Sequence, residues 1–412
     1  MNSGIESVTT SRTRELLGHR PFLLFLLGRA FSSFSYQIGA VAIGWQVYAL
    51  THSVLALGLI GLVQFLPSAG LTFFAGHAAD RFDRRRVTQA CQAIEGTVAL
   101  FLAWGSLGGW LNVAEIFGAV VVMGAARSFE SPAVSALLPA VVPSGLLQKA
   151  TAMSSSAFQA ATILGPALGG LIYALSPAAP YAVMAAAWVV SAAMAGALHV
   201  ERPVVPKEPP TLQALFAGVG FVRRSQEILG TISLDLFAVV LGGATALLPV
   251  YAHDILHTGP WGLGILRGAP AVGALLVSAW MTHSPIASRV GMRMFQAVIL
   301  YGLATIVFGL SHFMWLSVAA LFVMGAADMV SVVIRLSLVQ LRTPDDMRGR
   351  VGAVNFLFIN ASNQLGEFES GFTAALFGTV PAVVLGGLGT VAVALLWMRL
   401  FPALRDVERL EA

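Results

Sequence analysis

The sequence predicts an all-α membrane protein with twelve transmembrane helices in two pseudo-symmetric six-helix bundles. Of the 412 residues, 57% are hydrophobic and 11% are charged, whereas soluble domains carry about 25% charged residues. Twelve apolar runs each have a length close to the roughly 20 residues that a helix needs to cross the hydrocarbon core. An internal repeat, the third observation, relates the two halves of the chain.

The twelve predicted spans are separated by short polar turns and by one longer linker. Their approximate bounds are 22–50, 54–78, 87–108, 113–139, 150–175, 178–199, 228–252, 260–282, 294–311, 314–340, 351–378 and 380–398. Four of the 24 Lys and Arg residues lie inside these spans, and the others fall in segments on one side of the membrane. Because short loops rich in Lys and Arg stay cytoplasmic, we expect a multi-pass protein of the cytoplasmic membrane with both termini inside the cell.

The turn between predicted spans 2 and 3 is densely charged. Between Gly76 and Arg86, Asp80 and Asp83 stand among four arginines. A turn this short cannot cross a bilayer, so both spans end on the same side. The arginines place that side in the cytoplasm.

A proline-rich segment separates the first six spans from the last six. Residues 201–227 begin with four prolines in a charged setting, which is typical of an extended linker. Apolar residues at helical spacing follow, Val219 and Val222 among them, and they predict a short helix on the inner membrane face. We therefore expect an N-terminal six-helix bundle at 1–200, a cytoplasmic linker with an interfacial helix at 201–227, and a C-terminal six-helix bundle at 228–412.

The repeat relates predicted spans 4 and 5 to spans 10 and 11. Val122–Ala126 recurs as Val323–Ala327, both reading Val-Met-Gly-Ala-Ala. The same offset, without a gap, aligns Pro143 with Pro344, Gly165 with Gly366, and Gly170 with Gly371. Two parallel repeats of six spans are a known transporter architecture, with the substrate site near the bilayer midplane between the repeats.

Over essentially the whole chain, the residues resemble the major facilitator superfamily. The family's span 2–3 pattern, Gly-x-x-x-Asp-Arg-x-Gly-Arg-Arg, is matched by Gly76, Asp80, Arg81, Arg84 and Arg85. Asp83 replaces the second glycine of this pattern, and Asp tolerates a left-handed backbone better than most residues. Span 5 carries Gly165-Pro166-Ala-Leu-Gly169-Gly170, which is similar to the core of the family's antiporter motif.

Three further segments look like the enterobactin-exporter-like branch of that superfamily, namely Thr343–Val351, Gly366–Gly371 and Phe401–Val407. The resemblance implies the major facilitator fold, alternating access and proton-coupled export. It also implies gating by Gly76, Asp80, Arg81, Arg84, Gly165, Pro166, Gly169 and Gly170. The alternative is that the arginines only anchor the topology at anionic lipid headgroups and that the glycines only allow close helix packing.

Ionisable residues inside predicted spans are functional candidates, because each costs roughly 2.5–3.5 kcal/mol on insertion scales. Burial raises the pKa of a carboxyl group toward the range in which it can carry protons. We therefore consider Glu367, Asp235, Asp328 and Glu130 as proton-coupling sites. The alternative for Asp235 is a static pair with Arg267.

Arg127 and Asp328 occupy equivalent positions of the repeat with opposite charge. The resemblance implies that spans 1, 4, 7 and 10 line the cavity, so these two residues are expected to face each other and bind polar substrate groups or each other. The alternative pairs each residue within its own half, Arg127 with Glu130 or Glu95, and Asp328 with Arg335. The other candidates for the substrate cavity are Tyr36, Gln37, Asn360, Asn363 and Gln364.

The leading functional interpretation is a secondary active transporter that exports a small organic solute, such as a siderophore or a drug-like compound, against a proton gradient. Uptake, lysophospholipid transport and a non-transporting membrane sensor are the alternatives. The sequence has no nucleophile elbow, phosphate-binding loop or zinc-ligand spacing, so we expect no enzyme activity, cofactor or metal. The expected partners are a small-molecule substrate, protons and the lipid bilayer, without nucleic acid, for a monomeric protein.

Overall fold

The computed structural model describes residues 15–143, 145–199, 212–284 and 288–409. Within these ranges, it does not describe the side chains of residues 72–73, 76–80, 212–216, 345–346, 353, 356 and 360. The regular secondary structure of the described residues is helical, without a β-strand. The proline-rich part of the predicted linker, residues 201–211, lies outside the described residues.

Each predicted span overlaps one long helix. In chain order these are α1 Arg20–Thr51, α2 Val54–Arg81, α3 Arg84–Gly108, α4 Val113–Leu137, α5 Leu147–Leu175, α6 Ala179–Ala197, α7 Gln226–Leu241, α8 Gly259–His283, α9 Val290–Gly309, α10 Met314–Leu341, α11 Asp345–Phe377 and α12 Thr379–Leu400. Among the helices of the described residues, nine are long and apolar enough to cross a membrane. The predicted all-α membrane fold is confirmed, whereas the number of twelve crossings stays a prediction.

Helices α1, α4 and α11 are not among these nine. They have 32, 25 and 33 residues, so each exceeds the roughly 20 residues that a span requires. All three contain polar residues between apolar ones, which include Gln37 in α1, Arg127 and Glu130 in α4, and Glu367 in α11. These helices therefore carry much of the candidate site.

Helix α7 ends at Leu241, inside the predicted span of 228–252. Gly242 and Gly243 follow it, and a Cβ added to Gly243 would collide with the carbonyl oxygen of Gly366 in α11. The chain then continues through a 3₁₀ turn at Ala244–Leu247 and a π turn at Tyr251–Ile255. Helices interrupted at glycines are typical of the binding sites of transporters.

Capping residues account for the points at which α3 and α4 begin. The Asp83 carboxylate accepts a hydrogen bond from the backbone N–H of Arg85 at 3.0 Å, and the backbone of Asp83 is extended, with φ −62° and ψ 109°. The turn therefore makes no use of the left-handed backbone that Asp tolerates, because this residue is the N-cap of α3. At the start of α4, Asn112 and Glu115 form a capping box.

The helices group into two compact units. The first unit comprises the described residues of Met1–Ile43 and Leu66–Pro209, and the second comprises those of Gly44–Phe65 and Pro210–Ala412. The end of α1 and the first part of α2 thus belong to the second unit. The domain bounds 1–200, 201–227 and 228–412 stay a prediction.

In the first unit, α3 packs against both α4 and α6. Helix α5 approaches α1 through glycines: a Cβ added to Gly165 would lie 2.6 Å from the Cβ atom of Gln37, and one added to Gly169 would lie 3.1 Å from the Cα atom of Ile38. Lipid provides no hydrophobic force between helices, so small residues that allow close contact stabilise the packing. The span 5 glycines therefore serve at least this packing role.

In the second unit, α10 packs against α8 and α9, and α7 packs against α11 and α12. Helix α2 meets α11 at Gly58, where an added Cβ would lie 2.9 Å from the Cα atom of Gly371. The linker helix Leu212–Arg224 packs on α11, with Val222 buried beside Val351. The apolar stripe of this helix contacts protein at Val219 and Val222, and its position on the inner membrane face stays a prediction.

Candidate functional site

Glu130 of α4 lies at the centre of a buried polar network in the first unit. The residue is 2% exposed, and its carboxylate accepts hydrogen bonds from Arg127 at 2.7 Å, from Ser32 of α1 at 2.9 Å and from Gln92 of α3 at 2.9 Å. Charge-assisted hydrogen bonds of this kind stabilise a buried carboxylate. Of the pairings that the sequence left open for Arg127, the structure contains the one with Glu130.

Two of the predicted cavity residues lie beside this network on α1. The guanidinium carbon of Arg127 lies 4.6 Å from the centroid of the Tyr36 ring, at cation–π distance. The neighbouring Gln37 donates a hydrogen bond from Nε2 to the hydroxyl oxygen of Thr162 in α5 at 3.1 Å. The first unit therefore brings Tyr36 and Arg127 together and places Gln37 against α5.

A second polar cluster lies inside the second unit. Asp235 of α7, Tyr301 of α9, and Asp328 and Ser331 of α10 line a small cavity. The Asp235 carboxylate forms an ion pair with the guanidinium of Arg335, and the two side chains are 8% and 4% exposed. Among the described residues, no ion pair reaches the Asp328 carboxylate.

The ion pair of Asp235 corrects two pairings expected from the sequence. Arg335 pairs with Asp235, so its expected pairing with Asp328 is wrong. Residues seven positions apart are separated by about 10.5 Å along a helix, whereas α7 brings Asp235 directly against α10. For the same reason Asp235 has Arg335 as its partner, and not the Arg267 that the sequence suggested.

Tyr301 is a site residue that the sequence analysis missed. Its hydroxyl donates a hydrogen bond to the carbonyl oxygen of Gly242 at 3.1 Å, where α7 is interrupted. It therefore satisfies a backbone acceptor at the break and lines the acidic cavity. A single Tyr in an apolar span is more often a core residue, and no sequence signal set it apart.

Glu367 lies where α11 meets α2. A Cβ added to Gly61 would lie 2.8 Å from the Cβ atom of Glu367 and 2.9 Å from its Oε2 atom. Arg267 of α8 is the cation within electrostatic range of this carboxyl group. Glu367 therefore joins a helix contact to a neighbouring positive charge.

The remaining polar stripe of α11 is only partly described. Gln364 is partly buried, and its Oε1 atom has no hydrogen-bond partner among the described residues. Asn363 is exposed. The side chain of Asn360 lies outside the described residues.

The arginines of the span 2–3 turn bind helix ends within the first unit. Arg84 donates a hydrogen bond to the carbonyl oxygen of Ala136 in the last turn of α4 at 3.1 Å, and Arg85 donates one to the carbonyl oxygen of Leu198 after α6 at 2.5 Å. The last carbonyls of a helix lack partners within it, so both contacts stabilise these ends. Arg81 is exposed in the last turn of α2.

Other members of the predicted gate are placed as follows. Gly76 and Asp80 lie in the helical backbone of α2, but their surroundings lie outside the described residues. In α5, the motif residues Gly165, Pro166, Gly169 and Gly170 are buried. The gating role of all these residues stays a prediction.

A third cluster, which the sequence analysis missed, lies at the end of α1 in the second unit. The Tyr48 hydroxyl donates a hydrogen bond to Asp254, whose carboxylate also contacts the ring of His253. The His253 ring lies 5.7 Å from that of Tyr48 and 5.8 Å from that of His52. Among the described residues, no three His, Cys, Asp or Glu side chains are arranged to hold a metal ion.

The comparisons with known proteins cover nearly the whole chain. Residues 17–411 match the family described as "Transmembrane secretion effector". The enterobactin exporter EntS of Citrobacter koseri is 27% identical over 393 residues, which cover 94% of this chain and 93% of that protein. The multidrug efflux pump Tap of Mycobacterium tuberculosis H37Rv is 27% identical over 410 residues, with 94% and 95% covered.

Solved structures of transporters share the fold at low sequence identity. The nucleoside transporter NupG has a TM-score of 0.69 and 14% identity, covering 92% of this chain and 99% of that one. A bacterial homologue of the human lysosomal transporter Spinster has a TM-score of 0.73 and 12% identity, with 94% and 96% covered. Fold likeness alone does not assign function, but the family match does extend over nearly the whole sequence. The chain therefore belongs to the transmembrane secretion effector family, an enterobactin-exporter-like branch of the major facilitator superfamily, and is a multi-pass membrane transporter.

Proposed function

We propose that this transporter is a proton-driven antiporter that exports a small organic solute of the siderophore or drug-like class by alternating access. It lies in the cytoplasmic membrane as a monomer with both termini inside the cell. The observation that carries the proposal is the set of acidic side chains placed inside apolar helices, Glu130, Asp235, Asp328 and Glu367. An intramembrane charge costs roughly 2.5–3.5 kcal/mol, and a proton carrier uses such a carboxyl group directly.

Glu367 is the leading coupling residue of the second unit. It lies at the contact between α2 and α11, where the backbones approach each other closely around Gly58 and Gly61. Protonation removes its attraction to Arg267, and deprotonation restores it. Glu367 lies against α2, and its charge state sets its attraction to Arg267 of α8. Binding of a proton at Glu367 can therefore change how these helices interact, which proton-coupled conformational change requires.

The polar side chains near these carboxyl groups would bind the solute. Arg127 has a side chain that is 28% exposed, and its guanidinium stacks on Tyr36 beside Gln37, which suits an anionic or phenolic group. Asp328 has no cationic partner among the described residues and suits a cationic group. Asn360, Asn363 and Gln364 of α11 add neutral polar groups to the proposed set.

The direction and the driving force can be tested together in everted membrane vesicles. The probes are ethidium and, separately, enterobactin. We expect the vesicles to accumulate at least one probe while their interior is acidic and to lose it when nigericin collapses the pH gradient. Movement of either probe out of the vesicles under that gradient would indicate uptake by the cell, and immobility of both would refute the proposed substrate class.

A matched pair of variants on α11 separates coupling from binding. Glu367→Gln should still bind the transported probe but lose accumulation driven by the pH gradient. Glu369→Gln is the control, because Glu369 lies on the same helix and binds the hydroxyl of Thr373 at 2.7 Å. Unchanged accumulation by the Glu367→Gln protein would remove this residue from the mechanism.

A further inference from the structure

Glu95 of α3 is a buried carboxyl group without a hydrogen-bond or ion-pair partner among the described residues. It is 1% exposed, and its Oε2 atom has no hydrogen-bond donor. Among the described residues, no ion pair reaches it either. The sequence suggested Glu95 only as an alternative partner of Arg127, and the structure gives that partner to Glu130.

The ionisable groups around Glu95 lie on α3 itself and on three other helices. Arg127 and Glu130 of α4 are both within electrostatic range of its carboxyl group, and so is the thiol of Cys91 on α3 itself. Behind them, α1 contributes Tyr36 and Arg29, which interact electrostatically with Arg127. Helix α6 packs on α3 at Gly96 through Trp188, and its one ionisable side chain is the phenol of Tyr181.

Two carboxyl groups thus share one nearby arginine. Glu130 receives the guanidinium and two further donors, from Ser32 and Gln92. Glu95 receives none of them. A buried carboxylate without a cation or a donor is so unfavourable that the group takes up a proton instead.

We propose that Glu95 is the proton-binding residue of the first unit and that Glu130 is the counterion of Arg127 as long as Glu95 holds its proton. The inference rests on the proposed proton-driven export, and it replaces Glu130 by Glu95 among the proton-coupling candidates. In the step that we infer, the Glu95 carboxyl group gives its proton to water, and Arg127 moves from Glu130 toward the carboxylate that remains. The cation is attracted to the charge that proton release creates on Glu95, so proton release and side-chain movement occur together.

Infrared spectroscopy of the purified protein tests this proposal without transport. The wild-type protein should show the carbonyl stretching band of a protonated carboxylic acid, and Glu95→Gln should lose intensity in that band. The control is Glu115→Gln, because Gln can also serve in the capping box at the start of α4, and it should leave the band unchanged. A band of equal intensity in Glu95→Gln overturns the proposal.

Transport by the same variants completes the test. The Glu95→Gln protein should still exchange ethidium when the pH is equal on both sides of the vesicle membrane, and it should lose the accumulation that a pH gradient drives. Gradient-driven accumulation by this variant overturns the proposal. If the wild-type protein moves no ethidium, the proposed function fails while the infrared result still decides the protonation of Glu95. If Glu95→Gln does not fold, Glu95→Asp must keep a protonated carbonyl band, and its absence overturns the proposal.

Discussion

Replacing Arg127 by Met removes the cation that pairs with Glu130 and keeps much of the apolar length of the side chain. The Glu130 side chain is 3% exposed and that of Arg127 is 28% exposed, at an Nη1–Oε2 distance of 2.7 Å. In the Arg127→Met protein, the Glu130 carboxylate keeps only the hydroxyl of Ser32 and the amide of Gln92 as donors. The substitution therefore leaves a buried charge without a counterion.

The size of the effect follows from that geometry. Removing one partner of a buried ion pair costs about 3–5 kcal/mol, and the partial exposure of Arg127 places the expected loss near the lower end, at about 3 kcal/mol. A second substitution, Glu130→Gln, removes the stranded charge while its amide oxygen still accepts from Ser32 and Gln92. We expect the double variant to lie within about 1 kcal/mol of the wild-type protein.

Cys91 provides the assay. It is the only cysteine of the chain, it is 5% exposed, and it neighbours Gln92 on α3. A thiol-reactive fluorophore therefore reports the unfolding of this unit during titration with sodium dodecyl sulfate. Arg86→Met, at a side chain that is 76% exposed, is the control. The reasoning would be refuted if the Arg127→Met protein were as stable as the wild-type protein, or if the double variant were no more stable than Arg127→Met.

Three further stability predictions can be checked with detergent titration of the purified variants. Gly169→Leu should lower the free energy of unfolding by about 1–3 kcal/mol or more, because the leucine side chain would collide with the α1 backbone. Gly118→Leu is the control and should have little effect, because no atom lies within 4 Å of a Cβ added there. Equal losses in the two variants would contradict the α1–α5 contact. Asp83→Ala should cost about 1 kcal/mol through loss of the α3 N-cap, and Asp83→Ser should restore most of it. Arg335→Met should cost about 3–5 kcal/mol because it strands Asp235, and a neutral outcome would count against that ion pair.

The positions of the helices could be predicted from the sequence because the need for apolar residues in the membrane applies to each span separately. About twenty apolar residues must follow one another in each span, whatever the neighbouring helices do. The break after α7 is an exception, because Gly242 and Gly243 are tolerated inside continuous spans as well. Only the close approach of Gly366 shows why glycine is needed there.

Side-chain pairing could be predicted only where both partners lie on one helix. Arg127 and Glu130 are three positions apart and face the same way, and they do pair. The partner of Arg335 is Asp235, one hundred positions earlier in the chain, because α7 and α10 are packed together. The contact between Tyr48 and Asp254 was unpredictable for the same reason.

The protonation of Glu95 depends on which carboxylate takes the shared arginine. From the sequence alone, Arg127 could pair with Glu130 on its own helix or with Glu95 on α3. The structure decides between them through the additional donors Ser32 and Gln92, which come from two other helices and both reach Glu130. Uncharged residues such as these carry no distinctive signal in an apolar span.

The central claim is that solute export and proton entry are one coupled process. Its most direct test uses the purified protein in liposomes that enclose a pH-sensitive dye, with no pH gradient at the start and an imposed gradient of the transported probe. We predict that the probe flowing down its gradient drives protons across the membrane in the opposite direction, and that Glu95→Gln and Glu367→Gln abolish this proton movement. Probe flux with no accompanying change in internal pH in the wild-type protein would contradict the account.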